Sequence, residues 1–541
     1  MNKQSKVIHG HIVDVLERRI FPGALEIDEA GMIASVAETS EAEAKGGFLL
    51  PGFVDAHVHV ESSMVLPGEF ARCVVPRGTL AAMVDPHEVA NVLGEEGVRE
   101  FFSLGGESDF VWGWGVPSCV PATLFESAGA VLDAEAVERL LQDPRVTHLS
   151  EMMDVPGVLK GNAEVMRKLA AAQRLGKRVD GHAPCMLGAD LQRYIDAGIG
   201  TDHESDSVEE AREKLSRGMR VMLRRGSAAR MQESFLPLLS EFRGKCMWCC
   251  DDLHPTALMR EGIVGAVRWA VKKGVDVWDV LEAATVTPVK WYGLKLGLLR
   301  KGDRADFLRV SDLQEFEVEE AWLKGKCMAR WGETNMPTPK VVVRNCFHAK
   351  PVRVEDLQVE TRRRVRVIGV REGLGITDQC IENVGEPGAM KLVVLNRYVQ
   401  GSRPAVGFAR GFGEMGDGAL AISVAHDSHN LIAVGGTDKA LATALNAVVG
   451  MRGGLAVAQG ERVTASMSLP YAGLMSTKSV EEVAREERAC LEAARRVGVQ
   501  LRSPFMVLSF LSLPVIPTLR LTDCGLFNAE SFTFVNLDPD A

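Results

Sequence analysis

The sequence predicts an α/β chain centred on a TIM-like (β/α)8 barrel, with a small β-domain formed by the segments flanking the barrel and a C-terminal α/β domain. Three observations predict it. Between about residues 50 and 300, short apolar runs alternate with amphipathic helical stretches, the pattern of repeated βα units. Histidines and carboxylates stand at the ends of those apolar runs, where barrel enzymes place their chemistry. On either side the helical period fades, and short strand and turn signals take over.

At 541 residues the chain is too long for one compact core. The expected units are 1–50 (first segment of the β-domain), 51–298 (barrel), 299–335 (second β segment) and 345–541 (C-terminal domain). Within the first segment, 12–16, 24–27 and 32–36 read as strands broken by Pro22-Gly23 and Ala30-Gly31. The run Phe48-Leu49-Leu50-Pro51-Gly52-Phe53-Val54-Asp55 then reads as a buried strand leading directly into histidines. Further candidate strands are 80–84, 148–150, 178–180, 200–201, 220–223 and 245–249, with amphipathic helices at 133–141, 163–175 and 208–217. After Gly293 the helical pattern stops. Residues 302–308 and 321–323 read as β-structure returning to the first segment, and Met336-Pro337-Thr338-Pro339 reads as a linker. Glycine-rich turns at Gly435-Gly436 and Gly453-Gly454 mark the C-terminal domain.

Composition narrows the function classes. A formal net charge of −10 with no long basic run argues against nucleic acid as a partner. The longest apolar stretches, such as 505–516, fall short of the roughly 20 residues a spanning helix needs. No apolar h-region follows Met1, so neither membrane nor secretion is expected and the cytoplasm is the predicted compartment. The eleven cysteines are scattered and fit free thiols in a reducing environment. The Cys246-Met-Trp-Cys249-Cys250 cluster lacks a second CxxC and reads as buried strand cysteines.

The chemistry begins at His57-Val58-His59. Side chains at i and i+2 on a strand share a face, so two imidazoles at a strand end are able to approach one metal. Glu151, His182, His203 and the Asp251-Asp252 pair then follow later candidate strands in order. Each alone has an ordinary reading as a hydrogen-bonded core residue. Their ordered arrival after successive strands favours one metal site at the barrel mouth.

With these residues in place, the chain resembles the amidohydrolase superfamily. More narrowly, it resembles the adenine deaminase family of bacteria and archaea. The matching runs are PGFVDAHVHVESSM at 51–64, DPHEVANV at 85–92, PSCVPAT at 117–123, EMMD at 151–154, GHAP at 181–184, DHE at 202–204, GSAAR at 226–230 and DDLHP at 251–255. They continue with AHDSHN at 425–430, LPYAGLMS at 469–476 and LPVIP at 513–517, so the resemblance spans essentially the whole chain. Cys185, Leu80 and Cys250 stand where the family usually has Gly, Thr and Thr. These departures bear on pocket shape and remove no proposed ligand.

The resemblance implies hydrolytic deamination of adenine to hypoxanthine and ammonia, in purine salvage or catabolism. It implies a binuclear divalent metal centre, with Mn or Fe favoured and Zn compatible. His57 and His59 would hold one metal, His182 and His203 the other, and Glu151 would bridge them. Asp251 would ligate and carry the proton. Because adjacent strand residues face opposite ways, Asp252 is expected to face away from the mouth. Asp85, His87 and Glu88 are candidate catalytic residues, with a capped helix start as the plain alternative. Glu61, Ser118 and Cys119 are candidate substrate-binding residues. His426 and His429 resemble a second metal motif, or equally a structural hydrogen-bonding segment, and their place relative to the barrel is open. A homo-oligomer, by default a dimer, is expected.

Two other readings compete. One is a hydrolase on the same scaffold acting on a substituted adenine or another cyclic amidine; the other is a non-catalytic binding protein that kept the fold, which should have lost ligands. The zinc deaminases with an H-x-E…P-C-x-x-C signature are disfavoured, since no PCxxC occurs.

Overall fold

The computed structural model describes residues 6–540 except 107, 228–229, 339–340, 361–362, 374, 384 and 387. Met1 to Ser5, Ala228 and Ala229 of the 226–230 run, and Pro339 of the expected linker therefore lie outside the described residues.

One eight-stranded sheet is assembled from both ends of the barrel segment. Strands Lys6–Asp14, Arg19–Ile27, Ile33–Glu38 and Phe48–Pro51 join Phe307–Val310, Val318–Leu323, Lys326–Arg330 and Glu333–Thr334. The seam is the antiparallel pair Phe48–Pro51 with Phe307–Val310. The expected break at Pro22-Gly23 does not occur, because Arg19–Ile27 runs continuously with His11 opposite Pro22 and Gly10 opposite Gly23. A methyl group at Gly23 would come within 2.5 Å of Ile12 Cδ1, so this glycine serves close strand packing rather than a turn.

Eight short parallel strands form the centre: β1 (Phe53–Val58), β2 (Thr79–Val84), β3 (Val111–Val116), β4 (Val146–Met152), β5 (Arg178–Gly181), β6 (Thr201–Asp202), β7 (Arg220–Arg224) and β8 (Cys246–Cys249). They form a five-stranded and a three-stranded parallel ladder in sequence order. Backbone bonds link the ladders at both edges: Gly200 N–H donates to Val179 O at 2.9 Å, and Asp251 N–H donates to His57 O at 2.9 Å. The result is a TIM-like curled α/β sheet whose strand ends gather at one mouth.

Strand β3 is absent from the expected strands, because Gly113 and Gly115 interrupt its apolar pattern. The structure needs both glycines for close approach. A Cβ at Gly113 would stand 2.3 Å from Met83 Sδ, and one at Gly115 would stand 2.1 Å from Ser150 Oγ. The predicted helices form as Ala134–Leu141, Ala163–Arg174 and Val208–Ser216, with Asp133, Asn162 and Ser207 as side-chain N-caps. Cysteines 246, 249 and 250 are buried at β8, and all eleven cysteines are free thiols. Cys185 has a φ of 59°, the left-handed region that favours glycine.

The remaining chain builds a second eight-stranded sheet, mostly antiparallel, in the order 377–383, 364–370, 405–410, 389–395, 431–435, 418–422, 454–459 and 462–468. Helices Asp438–Met451 and Val480–Arg496 pack on it. This part is bound to the barrel mouth by long-range hydrogen bonds. Ser476 N–H donates to Met64 O at 2.8 Å, Asn430 Nδ2 to Ser127 O at 2.9 Å, and Thr522 Oγ1 to Phe125 O at 2.7 Å. Among the described residues, no helix is long and apolar enough to cross a membrane.

Candidate active site

Six of the predicted residues meet at the barrel mouth. His57 is in β1 and His59 follows it, with Nε2 atoms 3.1 Å apart. Asp251, just past β8, places Oδ1 3.5 Å from His57 Nε2 and 3.2 Å from His59 Nε2. Glu151, in β4, sets Oε1 3.4 Å from His59 Nε2 and Oε2 2.8 Å from His182 Nδ1 and 3.1 Å from His203 Nε2. All six side chains are buried. Atoms of the type that bind metals therefore converge in two groups, with the Glu151 carboxylate spanning them.

The donors are oriented from behind. His59 Nδ1 lies 3.1 Å from the Asp85 carbonyl, which fixes the Nδ1–H tautomer and leaves the Nε2 lone pair facing the cluster. Asp251 sits at φ 55°, a left-handed conformation rare for a non-glycine residue and concentrated at functional sites. Its Oδ2 accepts from Arg224 Nη1 at 2.7 Å. Burial pushes the Asp251 carboxyl up, but the Arg224 guanidinium and the His57 and His59 contacts outweigh it and hold the group well below the usual carboxylate range. Burial also opposes ionisation of Glu151; His182 and His203 outweigh it, and this carboxyl too is held well below its ordinary value.

The left-handed turn at Asp251 overturns one expectation. Strand alternation does not continue past Cys249, so Asp252 also faces the mouth. It accepts from Ser62 Oγ at 2.5 Å, lies 3.7 Å from His426 Nε2, and lines the pocket beside Asp251.

The other predicted residues separate. Asp85, His87 and Glu88 do start a helix, His87–Leu104, and Asp85 Oδ1 accepts the His87 N–H at 3.1 Å. They also reach the cluster, since His87 Nδ1 lies 3.5 Å from Glu151 Oε1. Glu61 is outside the pocket lining and accepts the Val89 N–H at 3.1 Å; burial, with the Glu88 carboxylate nearby, pushes its carboxyl up to about 8. Ser118 and Cys119 are outside it as well. The Ser118 hydroxyl donates to the Glu151 carbonyl and so braces the ligand strand from behind, and the Cys119 thiol lies 3.8 Å from Met152 Sδ.

Loops and a short helix of the C-terminal part supply part of the pocket. Besides the barrel residues, the lining includes Gly375, His426, Asp427, Phe510, Leu513 and Ile516. The His426-Asp427-Ser428-His429 segment thus reaches the mouth. Arg224 is invisible to sequence reasoning. Its only signal is a cation ending strand β7, whose three middle residues are apolar, where solvent exposure is the ordinary expectation. Glu204 closes the DHE run at 202–204 with no role expected of it; its Oε2 accepts from Arg224 Nη2 at 3.1 Å.

A TIM-like sheet carrying a buried His/Asp/Glu cluster at its strand ends defines the metal-dependent hydrolases of the amidohydrolase class. Residues 48–328 match the Amidohydrolase family, and residues 358–533 match the Adenine deaminase C-terminal domain. Adenine deaminase of Methanosarcina acetivorans is 44% identical, with 98% of each chain covered. That of Salinibacter ruber is 46% identical over 98% of each chain, and that of Borreliella burgdorferi is 37% identical over 98% of this chain and 99% of its own. The chain belongs to the adenine deaminase family.

Proposed function

We propose that this protein hydrolyses adenine to hypoxanthine and ammonia at the barrel mouth, using two divalent cations. The observation that carries the reading is the convergence of His57 Nε2, His59 Nε2 and Asp251 Oδ1 within 3.5 Å of one another, next to a second group around Glu151. Donor atoms about 2.1 Å from one ion stand roughly 3.0–3.4 Å apart at tetrahedral or octahedral angles, so the residues fit the metal. His57, His59 and Asp251 would hold one cation and His182 and His203 the other, with Glu151 available to both. Mixed imidazole and carboxylate donors suit Mn and Fe, with Zn compatible. When bound, the cations supply a hydroxide-strength nucleophile at neutral pH.

The chain's own residues do the rest. Phe510, Leu513, Ile516 and Met153 form an apolar wall beside the polar cluster, against which the base would lie away from bulk water. Asp251 accepts the proton of the attacking water and passes it to the exocyclic nitrogen. The C6–N bond breaks, ammonia leaves, and the water oxygen remains as the C6 carbonyl oxygen of hypoxanthine. Arg224 holds Asp251 in place through the oxygen that does not face the histidines. Ser118 and Glu61 support Glu151 and the helix start at Val89 rather than contacting the base. In the division into 1–50 with 299–335, 51–298 and 345–541, the outer sheet braces the barrel, the barrel holds the ions, and the C-terminal part closes the pocket. Such a reaction serves purine salvage or catabolism.

The test is ammonia release by Mn-loaded protein across adenine, substituted adenines, guanine and cytosine. Adenine should give the highest kcat/KM. A substituted adenine turned over at a higher kcat/KM would replace the substrate, and no release from any base would reject the activity.

A further inference from the structure

A second convergence of ligand-type atoms lies beside the Glu151 centre. The His87 ring has two occupied edges. Its Nδ1 faces Asp85 Oδ2 at 3.1 Å and Glu151 Oε1 at 3.5 Å. Its Nε2 faces the other way, 3.5 Å from Glu88 Oε1 and 3.5 Å from Asp427 Oδ1. Glu88 comes from the barrel and Asp427 from a turn between strands 418–422 and 431–435 of the C-terminal part. Those separations approach the roughly 3.0–3.4 Å expected of two donors sharing one ion.

His87, Glu88 and Asp427 are 2%, 1% and 2% exposed, and their ligand atoms lie within 4.8 Å of one another. His87 Nε2 is buried without a hydrogen bond and is aimed between Glu88 Oε1 and Asp427 Oδ1. Nine in ten or more buried polar groups are satisfied, so an orphaned imidazole nitrogen between two carboxylates marks a missing ligand. Charge gives the same answer. Among the described residues, no lysine or arginine forms an ion pair with Glu88, Asp427, Asp85 or Asp252; the ion-pair partners they have are imidazoles. Buried carboxylates in that number call for a cation. His426 Nδ1 and His429 Nε2 contact Glu88 and orient its carboxylate from the C-terminal side.

We propose that His87 Nε2, Glu88 and Asp427 bind a further divalent transition-metal cation that clasps the C-terminal segment to the barrel mouth. One imidazole and two carboxylates form a borderline-hard donor set suited to Mn, Fe or Zn. The proposal does not depend on which base the neighbouring centre deaminates.

The experiment strips the full-length protein with a chelator and titrates it with Mn2+. Bound metal is counted by mass spectrometry, and crystals of the loaded protein are measured at the Mn absorption edge. The expected result is about three Mn per chain, with an anomalous peak between His87 and Asp427, and about two per chain for Asp427→Asn. Wild-type saturation at about two, with no peak at that position, overturns the proposal and leaves a plain imidazole–carboxylate network. If Asp427→Asn does not fold, the wild-type diffraction decides alone. Adenine turnover without the extra peak defeats only this proposal; the extra peak without adenine turnover defeats only the substrate assignment.

Discussion

Asp202 and His203 are neighbours in sequence, both fully buried, and belong to two polar clusters of opposite character. Asp202 sits in a closed network. Lys214 Nζ donates to its Oδ2 at 2.9 Å, to Glu210 Oε1 at 2.6 Å and to Ala183 O at 2.7 Å, while Asp202 also accepts from Ala183 N–H at 2.9 Å and Ser205 Oγ at 2.9 Å. His203 points the other way, its Nε2 3.1 Å from Glu151 and its ring stacked on His57 with centroids 4.2 Å apart. In the first cluster a cation of the chain satisfies every carboxylate. In the second, nitrogens and oxygens gather with no cation of the chain except Arg224, which touches only its edge. Burial of charge alone therefore does not mark a functional site. The mark is convergence of imidazoles and carboxylates with no lysine or arginine at their centre.

The largest effect should come from the open cluster. His57→Ala is expected to abolish ammonia release from adenine and to lower metal content, with the circular dichroism spectrum unchanged. Near-wild-type turnover with full metal content would remove His57 from the ligand set and blur the contrast. Glu151→Gln should behave similarly, since an amide oxygen cannot bridge two cations with negative charge.

Next comes the proton carrier. Asp251→Asn should reduce kcat by about 10²–10⁴-fold at fixed metal loading, the usual contribution of general acid–base catalysis. Asp252→Asn should be milder, because its carboxylate is held by Ser62 rather than facing His57 and His59. The reverse order would move the proton-carrying role to Asp252.

For the closed cluster the expected loss is in stability. Lys214→Met leaves Asp202 and Glu210 buried and unpaired, at a cost of about 3–5 kcal/mol. Urea denaturation should register this, while the folded fraction keeps its metal content. Loss of metal at unchanged stability would mean that the two clusters are not separable.

The smallest effect concerns the bond between the barrel and the C-terminal part. Glu487 accepts from His254 Nδ1 at 2.9 Å and from the Thr256 N–H at 2.8 Å. Burial pushes the Glu487 carboxyl up; the bonds from His254 and Thr256 outweigh this and leave it below its ordinary value. A lowered carboxyl pKa contributes stability that is present above the unfolded value of about 4.3 and lost as pH falls through the folded one. Glu487→Gln should therefore cost about 1–3 kcal/mol at pH 7. The wild-type advantage should shrink as the medium is acidified below pH of about 4. A difference that stays constant across that range would show that the carboxylate charge is not what holds the contact.

The sequence by itself determined most of the barrel strands, the named helices and the order in which histidines and carboxylates follow the strands. Those features rest on local periods, two residues for strands and 3.6 for helices, and on the i, i+2 geometry of His57 and His59. Even locally it misled at Gly23, which packs rather than turns, and it missed β3, where Gly113 and Gly115 interrupt the apolar run. Only the tertiary structure decided that Asp252 faces the pocket, that Arg224 is buried against Asp251, and that Asp427 lies 3.5 Å from His87. The first depends on a left-handed backbone turn that no periodicity announces. The other two depend on which distant segments closure of the sheets brings together, and contacts across that much chain leave no repeat in the sequence to read.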